Sequence, residues 1–243
     1  MAYNCLLLDA DDTLVSFKDC ERQALTKVLE KYNISATEEN ITNYHNINEA
    51  LWQDLEKGKI KKHLIGKIRF QKFCESVEAD AKNAEKMNRD YLAFLKEEAV
   101  LIDGALEFLA DVEDYATIAI VTNGIEAVQM NRLKISGIAD FADGIYTSEK
   151  VGATKPNKQI FLAALKDLGV ENTSKVLVVG DRLQSDIKGG INAGLDTCWV
   201  NFDNQENNTN IKPKYTVQDY TQLKNIILEG LEDVIANKGK VQL

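Results

Sequence analysis

The sequence predicts an α/β fold: a Rossmann-like, doubly wound parallel sheet with an all-α unit inserted after its first strand. Three observations predict it. Short, wholly apolar runs end abruptly in polar or acidic residues, as strands covered on both faces do at their carboxyl ends. From Asp103-Gly104 onward such runs alternate with amphipathic stretches, the pattern of a parallel sheet with crossover helices. Between Lys18 and about Lys96 nothing reads as a strand, and apolar residues recur at helical spacing. The expected division is therefore residues 1–17 and 96–243 for the α/β core and 18–95 for the helical insertion.

The first element is Cys5 to Leu8, too short for a buried helix and suited to a central strand; Asp9 follows at its carboxyl end. In open α/β sheets ligands bind at that end. Residues two apart on extended chain project to one side, so Asp9 and Asp11 can enter one site while Asp12 points elsewhere as a solvated turn acid. The insertion reads as about four helices, with Ala24, Leu25, Val28 and Leu29 on one face, then Ile47, Ala50, Leu51 and Leu55, then Ile65, Ile68 and Phe73. Its lysines Lys57, Lys59, Lys61 and Lys62 read as a solvated helix start. Thr117 to Val121 is the next strand, ending at Thr122-Asn123-Gly124 and followed by a helix that stops near Ser136 and Gly137. A short strand near Ile145 leads to Val151-Gly152-Ala153-Thr154-Lys155-Pro156, with Pro156 placed where a helix can begin. That helix, through Phe161, Leu165 and Leu168, ends at Gly169. Val176 to Val179 is a buried strand ending in Gly180-Asp181, Thr197 to Val200 is another, Asn204 to Asn210 reads as an exposed loop, and a last amphipathic helix starts near Asp219 with a frayed polar tail.

Composition narrows the function classes. With 243 residues and 44% hydrophobic content the chain has a real core, and its net charge of −9 argues against a surface for nucleic-acid polymers, which are held by clustered Lys and Arg. Cys5, Cys20, Cys74 and Cys198 form no CxxC pair, so neither a zinc site nor a disulfide framework is indicated and a reducing cytoplasm fits. No apolar run reaches the length of a membrane span or a signal-peptide core, so neither secretion nor a membrane partner is expected. His45 and His63, both in the insertion, read as surface residues, which leaves histidine-based hydrolysis without its parts. Monomer and homodimer both remain open.

Three strands thus end in polar groups at one edge of the expected sheet: Asp9 and Asp11, Thr122 and Asn123, and Asp181 with Asp186; Lys155 follows a loop within reach of the same edge. Carboxylates about 4 Å apart at an effective dielectric near 20 repel by roughly 4 kcal/mol per pair. A divalent cation resolves this, and an all-oxygen set with room for water and phosphate suits Mg²⁺, with Asp9, Asp11, Asp181 and Asp186 as candidate ligands, Asp186 standing either on the cation directly, on it through water, or only against Lys155. The constellation asks for phosphoryl transfer. Asp9 is the candidate nucleophile, Asp11 the general acid and then the base, and Lys155 with the Thr122 hydroxyl and the backbone N–H groups of Asn123 and Gly124 the candidate holders of the phosphoryl oxygens.

These segments, in this order, resemble the haloacid dehalogenase superfamily of phosphatases. The first motif, Asp-x-Asp-x-Thr, stands as Asp9-Ala10-Asp11-Asp12-Thr13; the second as Thr122-Asn123-Gly124; the lysine motif as Lys155-Pro156; the fourth, Gly-Asp-x4-Asp, as Gly180-Asp181 through Asp186. The helical insertion is similar to the family's type-1 cap. The likeness extends to the pyrimidine 5′-nucleotidases of the superfamily, in Asp9 to Leu14, Leu51-Trp52, Val151 to Lys158 and Gly189 to Trp199. It implies an Mg²⁺-dependent phosphomonoesterase for a small phosphorylated metabolite, a pyrimidine nucleoside 5′-monophosphate. A sugar-phosphate or phosphoglycolate phosphatase would share every core residue, and a catalytically silent binding module on the same scaffold is the alternative from another class. A haloacid dehalogenase proper is disfavoured, because those members lack the second aspartate that Asp11 supplies. Phe17 and Trp52 are the candidate aromatics for stacking on a base, although a Trp on a bundle helix is commonly core.

Overall fold

The computed structural model describes residues 3–229. The chain divides into two compact units, one comprising the chain through Val15, Leu101–Glu126 and the chain from Ser136 on, the other Ser16–Val100 with Ala127–Ile135. The helical unit is thus wider than the 18–95 read from periodicity, and it takes in the helix after the second strand. The reason is visible in that helix: Arg132 is buried, its Nε donates to Glu98 O at 3.0 Å, and Asn131 Nδ2 donates to Lys96 O at 2.9 Å. Helical spacing tells which face of a helix is buried, but not against what.

The helical unit is built on α1 (Phe17–Lys31), α2 (Glu38–Glu56), α3 (Lys62–Ser76) and α4 (Ala84–Leu95). Ser16 caps α1 by accepting from Asp19 N, and Thr37 caps α2 by accepting from Asn40 N. Each cap satisfies an amide that the first turn leaves without a partner. The unit has its own core, an aromatic cluster of Tyr44, Phe70, Phe73 and Tyr91 with centroids 5.0–6.4 Å apart. A buried polar chain runs beside it: Asn48 Nδ2 donates to Glu21 Oε1 at 2.7 Å, Arg69 Nη1 to Asn48 Oδ1 at 3.3 Å, and Arg69 Nη2 to Asn88 Oδ1 at 2.7 Å. His45, expected at the surface, is half-buried with Nδ1 2.6 Å from Glu21 Oε2, whereas His63 is exposed as expected. The lysines at 57, 59 and 61 are exposed and Lys62 is half-buried.

The other unit is a six-stranded, all-parallel sheet in the order β3-β2-β1-β4-β5-β6, with β1 Cys5–Leu8, β2 Thr117–Thr122, β3 Gly144–Thr147, β4 Val176–Gly180, β5 Asp196–Val200 and β6 Tyr215–Val217. The crossovers carry α5 (Ala105–Val112), α6 (Glu126–Ile135), α7 (Ser148–Val151), α8 (Gln159–Asp167) and α9 (Lys188–Asn192), and α10 (Tyr220–Leu228) follows β6. Strand β1 is central, Leu7 lying opposite both Ala119 and Val178, and all four of its residues are buried. That explains the unbroken apolar run: with both faces covered, no position alternates. Because β2 and β4 flank β1, strand order reverses there, and such a switch point opens a crevice beyond the carboxyl ends of the strands.

Two elements differ from the sequence reading. Strand β6 was not foreseen, since three residues at a sheet edge carry too short a pattern. Helix α8 starts at Gln159 rather than at Pro156; Asn157 Oδ1 accepts from Gln159 N at 3.0 Å, and Lys155-Pro156 lies in the turn before it. The loop from Asn204 to Asn210 is exposed, and the polar tail expected after α10 lies outside the described residues. Among the described residues no helix is long and apolar enough to cross a membrane.

Candidate active site

The carboxyl ends of β1, β2 and β4 supply the polar groups of the crevice. Asp9 continues β1, its N–H donating to Val179 O at 2.9 Å, and its side chain is buried. The chain then turns sharply. Leu14 N and Val15 N both donate to Ala10 O, Asp12 N donates to Val15 O at 2.7 Å, and Asp12 takes a φ of 53° in an exposed position. Asp12 therefore sits where a turn needs left-handed backbone, which Asp tolerates better than most residues. Asp11 is half-buried.

Lys155 is the hub. Its ammonium lies 2.7 Å from Asp9 Oδ1 and 2.6 Å from Asp186 Oδ1, and it donates to Val121 O at 2.8 Å. The side chain is almost fully buried. Burial alone would lower its pKa, but the carboxylates of Asp186 and Asp9 outweigh this and push it up, so the lysine stays charged. Asp186 Oδ2 also accepts from Arg182 N at 3.0 Å. A Cβ on Gly180 would stand 2.4 Å from Asp186 Cγ, so only glycine admits Asp186 to this position. Asp181 is fixed from behind by Trp199, whose indole N–H donates to Asp181 O at 2.7 Å.

Asp9, Asp181 and Asp186 each offer an oxygen within 4.8 Å of the others. The carboxylate of Asp11 is not part of that group, so three of the four candidate ligands come together. Three carboxylates against one lysine leave two uncompensated negative charges, and the strain shows in the protonation equilibria. Burial, with Asp186 and Asp11 nearby, raises Asp9 to about 7 despite the opposing pull of Lys155. Burial, with Asp186 and Asp9, pushes Asp181 well above the ordinary carboxylate range. Asp181 Oδ1 is buried without a hydrogen-bond partner. A buried, unpartnered carboxylate oxygen beside two others is a donor set of hard oxygens, which fits a cation and does not fit a closed structural network.

In the second motif, hydrogen bonds link the groups to one another and to Lys155. Thr122 is buried at the end of β2, and its Oγ1 accepts from Gly124 N at 3.0 Å, so hydroxyl and amide hold each other. The Asn123 side chain is turned onto Lys155: Oδ1 accepts from Lys155 N at 2.8 Å and Nδ2 donates to Lys155 O at 3.1 Å. Phe17 and Trp52 both belong to the helical unit and are half-buried; the guanidinium of Arg132 lies 5.8 Å from the Phe17 centroid. Trp199 and Asn192, whose Nδ2 donates to Pro156 O at 3.0 Å, are supporting residues that sequence reading did not assign to the site. Their signal in the sequence is their place in the Gly189 to Trp199 segment, which resembles the pyrimidine 5′-nucleotidases.

The haloacid dehalogenase-like hydrolase family matches residues 3–194, most of the chain and all four of the motif segments. The chain belongs to that family. Across this hydrolase family the chain is similar to the pyrimidine 5′-nucleotidase YjjG of Escherichia coli, 35% identical over 93% of this chain and 99% of that protein. It is 33% identical to the pyrimidine 5′-nucleotidase PynA of Streptococcus pneumoniae, over 92% of this chain and 94% of the other. The crystal structure of the HAD-hydrolase YfnB of Bacillus subtilis, described as bound to magnesium, superposes with a TM-score of 0.88 at 34% identity, covering 93% of this chain and 99% of that one.

Proposed function

We propose that this hydrolase cleaves phosphomonoesters through an aspartyl-phosphate, with Mg²⁺ as cofactor and pyrimidine nucleoside 5′-monophosphates as substrates. The observation that carries the reaction class is the contact of Lys155 with Asp9 inside a buried group of three aspartates. An Asp9 oxygen attacks phosphorus, the bond from phosphorus to the ester oxygen breaks, and Asp11 as an acid gives its proton to the departing alkoxide. Asp11, now a carboxylate, takes a proton from water as that water attacks the phosphorus. The bond to Asp9 breaks, and inorganic phosphate leaves. Lys155 stays charged beside Asp9 throughout and offsets the approach of one anion to another. Asp9, Asp181 and Asp186 would hold Mg²⁺, which when bound supplies charge neutralisation for the phosphoryl oxygens. The net charge of −2 on three aspartates and Lys155 matches a divalent ion.

The substrate class rests on likeness, chiefly the identity to two pyrimidine 5′-nucleotidases along nearly the whole chain, the helical unit included. Phosphate release from CMP, UMP and dTMP should exceed release from ribose 5-phosphate and phosphoglycolate, should vanish in EDTA and should return with Mg²⁺. A preference for the sugar phosphates would overturn the nucleotide assignment, and turnover in EDTA the metal.

Within the helical unit Phe17, ahead of Trp52, is the proposed stacking partner of the base. Alanine at a stacking position should cost about 1–3 kcal/mol in kcat/KM for nucleotides, with a much smaller loss for p-nitrophenyl phosphate, which presents no base. Equal losses on both substrates together with a lowered Tm would make these rings core packing instead.

A further inference from the structure

We infer that the side chain of Asn123 is a positioning group for Lys155 and does not itself contact the substrate's phosphoryl group. This rests on the reading of Lys155 as the cation beside the nucleophile. Asn123 follows β2 directly, and its side-chain amide meets the main chain of Lys155 with both of its ends, Oδ1 accepting from Lys155 N at 2.8 Å and Nδ2 donating to Lys155 O at 3.1 Å. Two reciprocal hydrogen bonds between an amide side chain and a single residue's N–H and C=O copy the way two adjacent strands exchange bonds. The backbone of Asn123 is held in turn, since its carbonyl accepts from Ser148 Oγ at 3.3 Å.

The pairing has a consequence for the ammonium. Lys155 stands in an irregular turn between α7 and α8, where no ladder fixes its main chain, and its side chain has four rotatable bonds. The tip of that side chain returns to the same strand end, donating to Val121 O at 2.8 Å, two residues before Asn123. Lys155 is therefore anchored to the end of β2 twice, by its backbone through the Asn123 amide and by its ammonium through a β2 carbonyl. With the root and the tip both fixed, Nζ is held at 2.7 Å from Asp9 and 2.6 Å from Asp186. With the root released, the carboxylates and the Val121 carbonyl still attract the ammonium, but the main chain it extends from is no longer held, and its distance from the attacking oxygen is fixed less closely. Asn192, through Pro156 O, supports the next residue of the same turn.

The two possible roles separate in a double-mutant cycle. If Asn123 acts through Lys155, Asn123→Ala should lower kcat for p-nitrophenyl phosphate by about 10- to 100-fold, the scale of a small misplacement of a reacting group, with KM changed less than about twofold. In a Lys155→Met background the same substitution should then cost less than about twofold, because residues that act as a unit do not lose their effects twice. If the Asn123 side chain touched the phosphoryl group directly, its loss would raise KM and would multiply with that of Lys155→Met; either result overturns the inference.

A second measurement does not depend on turnover. The amide hydrogen of Lys155 should exchange slowly in the wild-type protein and in Asn123→Asp, which keeps the acceptor, and quickly in Asn123→Ala. Slow exchange in Asn123→Ala would also overturn the inference. Absence of phosphatase activity in the wild type would instead defeat the functional reading, and the exchange rates would still decide whether Asn123 holds Lys155.

Discussion

Asp9→Asn will fold normally and lose turnover of any phosphomonoester by on the order of 10⁴-fold or more, the scale on which hydrolases lose activity with their nucleophile. An amide cannot act as the attacking oxyanion, yet it is isosteric with the carboxyl, and its oxygen can still accept from Lys155 Nζ, now 2.7 Å from Asp9 Oδ1. The same substitution makes an opposite forecast for stability. The Asp9 pKa is raised to about 7 by burial and by Asp186 and Asp11, with Lys155 opposing, so the ionised form is disfavoured in the folded protein. For a group whose folded pKa lies above its unfolded value, the stability it contributes is present at low pH and is lost as pH rises through the folded pKa. In EDTA at pH 8 the wild type therefore carries a penalty that Asp9→Asn escapes, and the variant should melt at the same temperature or higher. The difference should close as the pH falls from 8 towards 4. Activity above about a hundredth of wild type would remove Asp9 from the nucleophile role. A variant that melts lower than wild type at pH 8 would mean that its ion pair with Lys155 dominates over burial.

Asp11→Asn should slow hydrolysis of alkyl phosphates by roughly 10²- to 10⁴-fold, the usual effect of losing a positioned acid or base. The size should depend on the leaving group. An alkoxide needs a proton as it departs, whereas p-nitrophenolate does not, so the first step with the aryl ester should suffer far less than with a nucleotide. On the proposed mechanism the second step, in which water attacks an aspartyl-phosphate, would need Asp11 as base for every substrate. Asp11→Asn should therefore give a burst of p-nitrophenolate stoichiometric with enzyme, followed by slow turnover. Equal first-step losses for aryl and alkyl esters would count against the acid role. Asp11 is half-buried and its carboxylate lies outside the group formed by Asp9, Asp181 and Asp186.

Local order along the chain was enough to identify the strands that matter. Cys5 to Leu8, Ile118 to Val121 and Val176 to Val179 are apolar throughout because each is covered on both faces, and just beyond them stand Asp9, Thr122 and, after Gly180, Asp181. A strand's end and its polar residue are adjacent in sequence, so that part of the site was legible without coordinates. The separation of Asp181 and Asp186 was legible too, but not its reason: a Cβ on Gly180 would collide with Asp186, a contact that exists only once the wide turn at Leu183–Ile187 folds Asp186 back over the strand end.

The sequence by itself determined the fold class, the four motif segments and the chemical type of each group, because these depend on periodicity and residue identity over a few neighbours. What only the tertiary structure decided is which partner each polar group takes. The Thr122 hydroxyl and the backbone N–H groups of Asn123 and Gly124 were legible as a donor set at a strand end, but not that the Asn123 side chain pairs with the Lys155 backbone or that Gly124 N donates to Thr122 Oγ1. Asp11 read as a fourth ligand, yet its carboxylate lies outside the group of three. Helix α6 read as a crossover helix of the sheet, yet Arg132 and Asn131 bind it to the chain at 96–98, within the helical unit. A side chain's neighbours one or two residues away are set by the backbone it stands on. Partners thirty or more residues away, as Lys155 is from Asn123 and Glu98 from Arg132, are set by how strands and helices pack, and no local pattern records that choice.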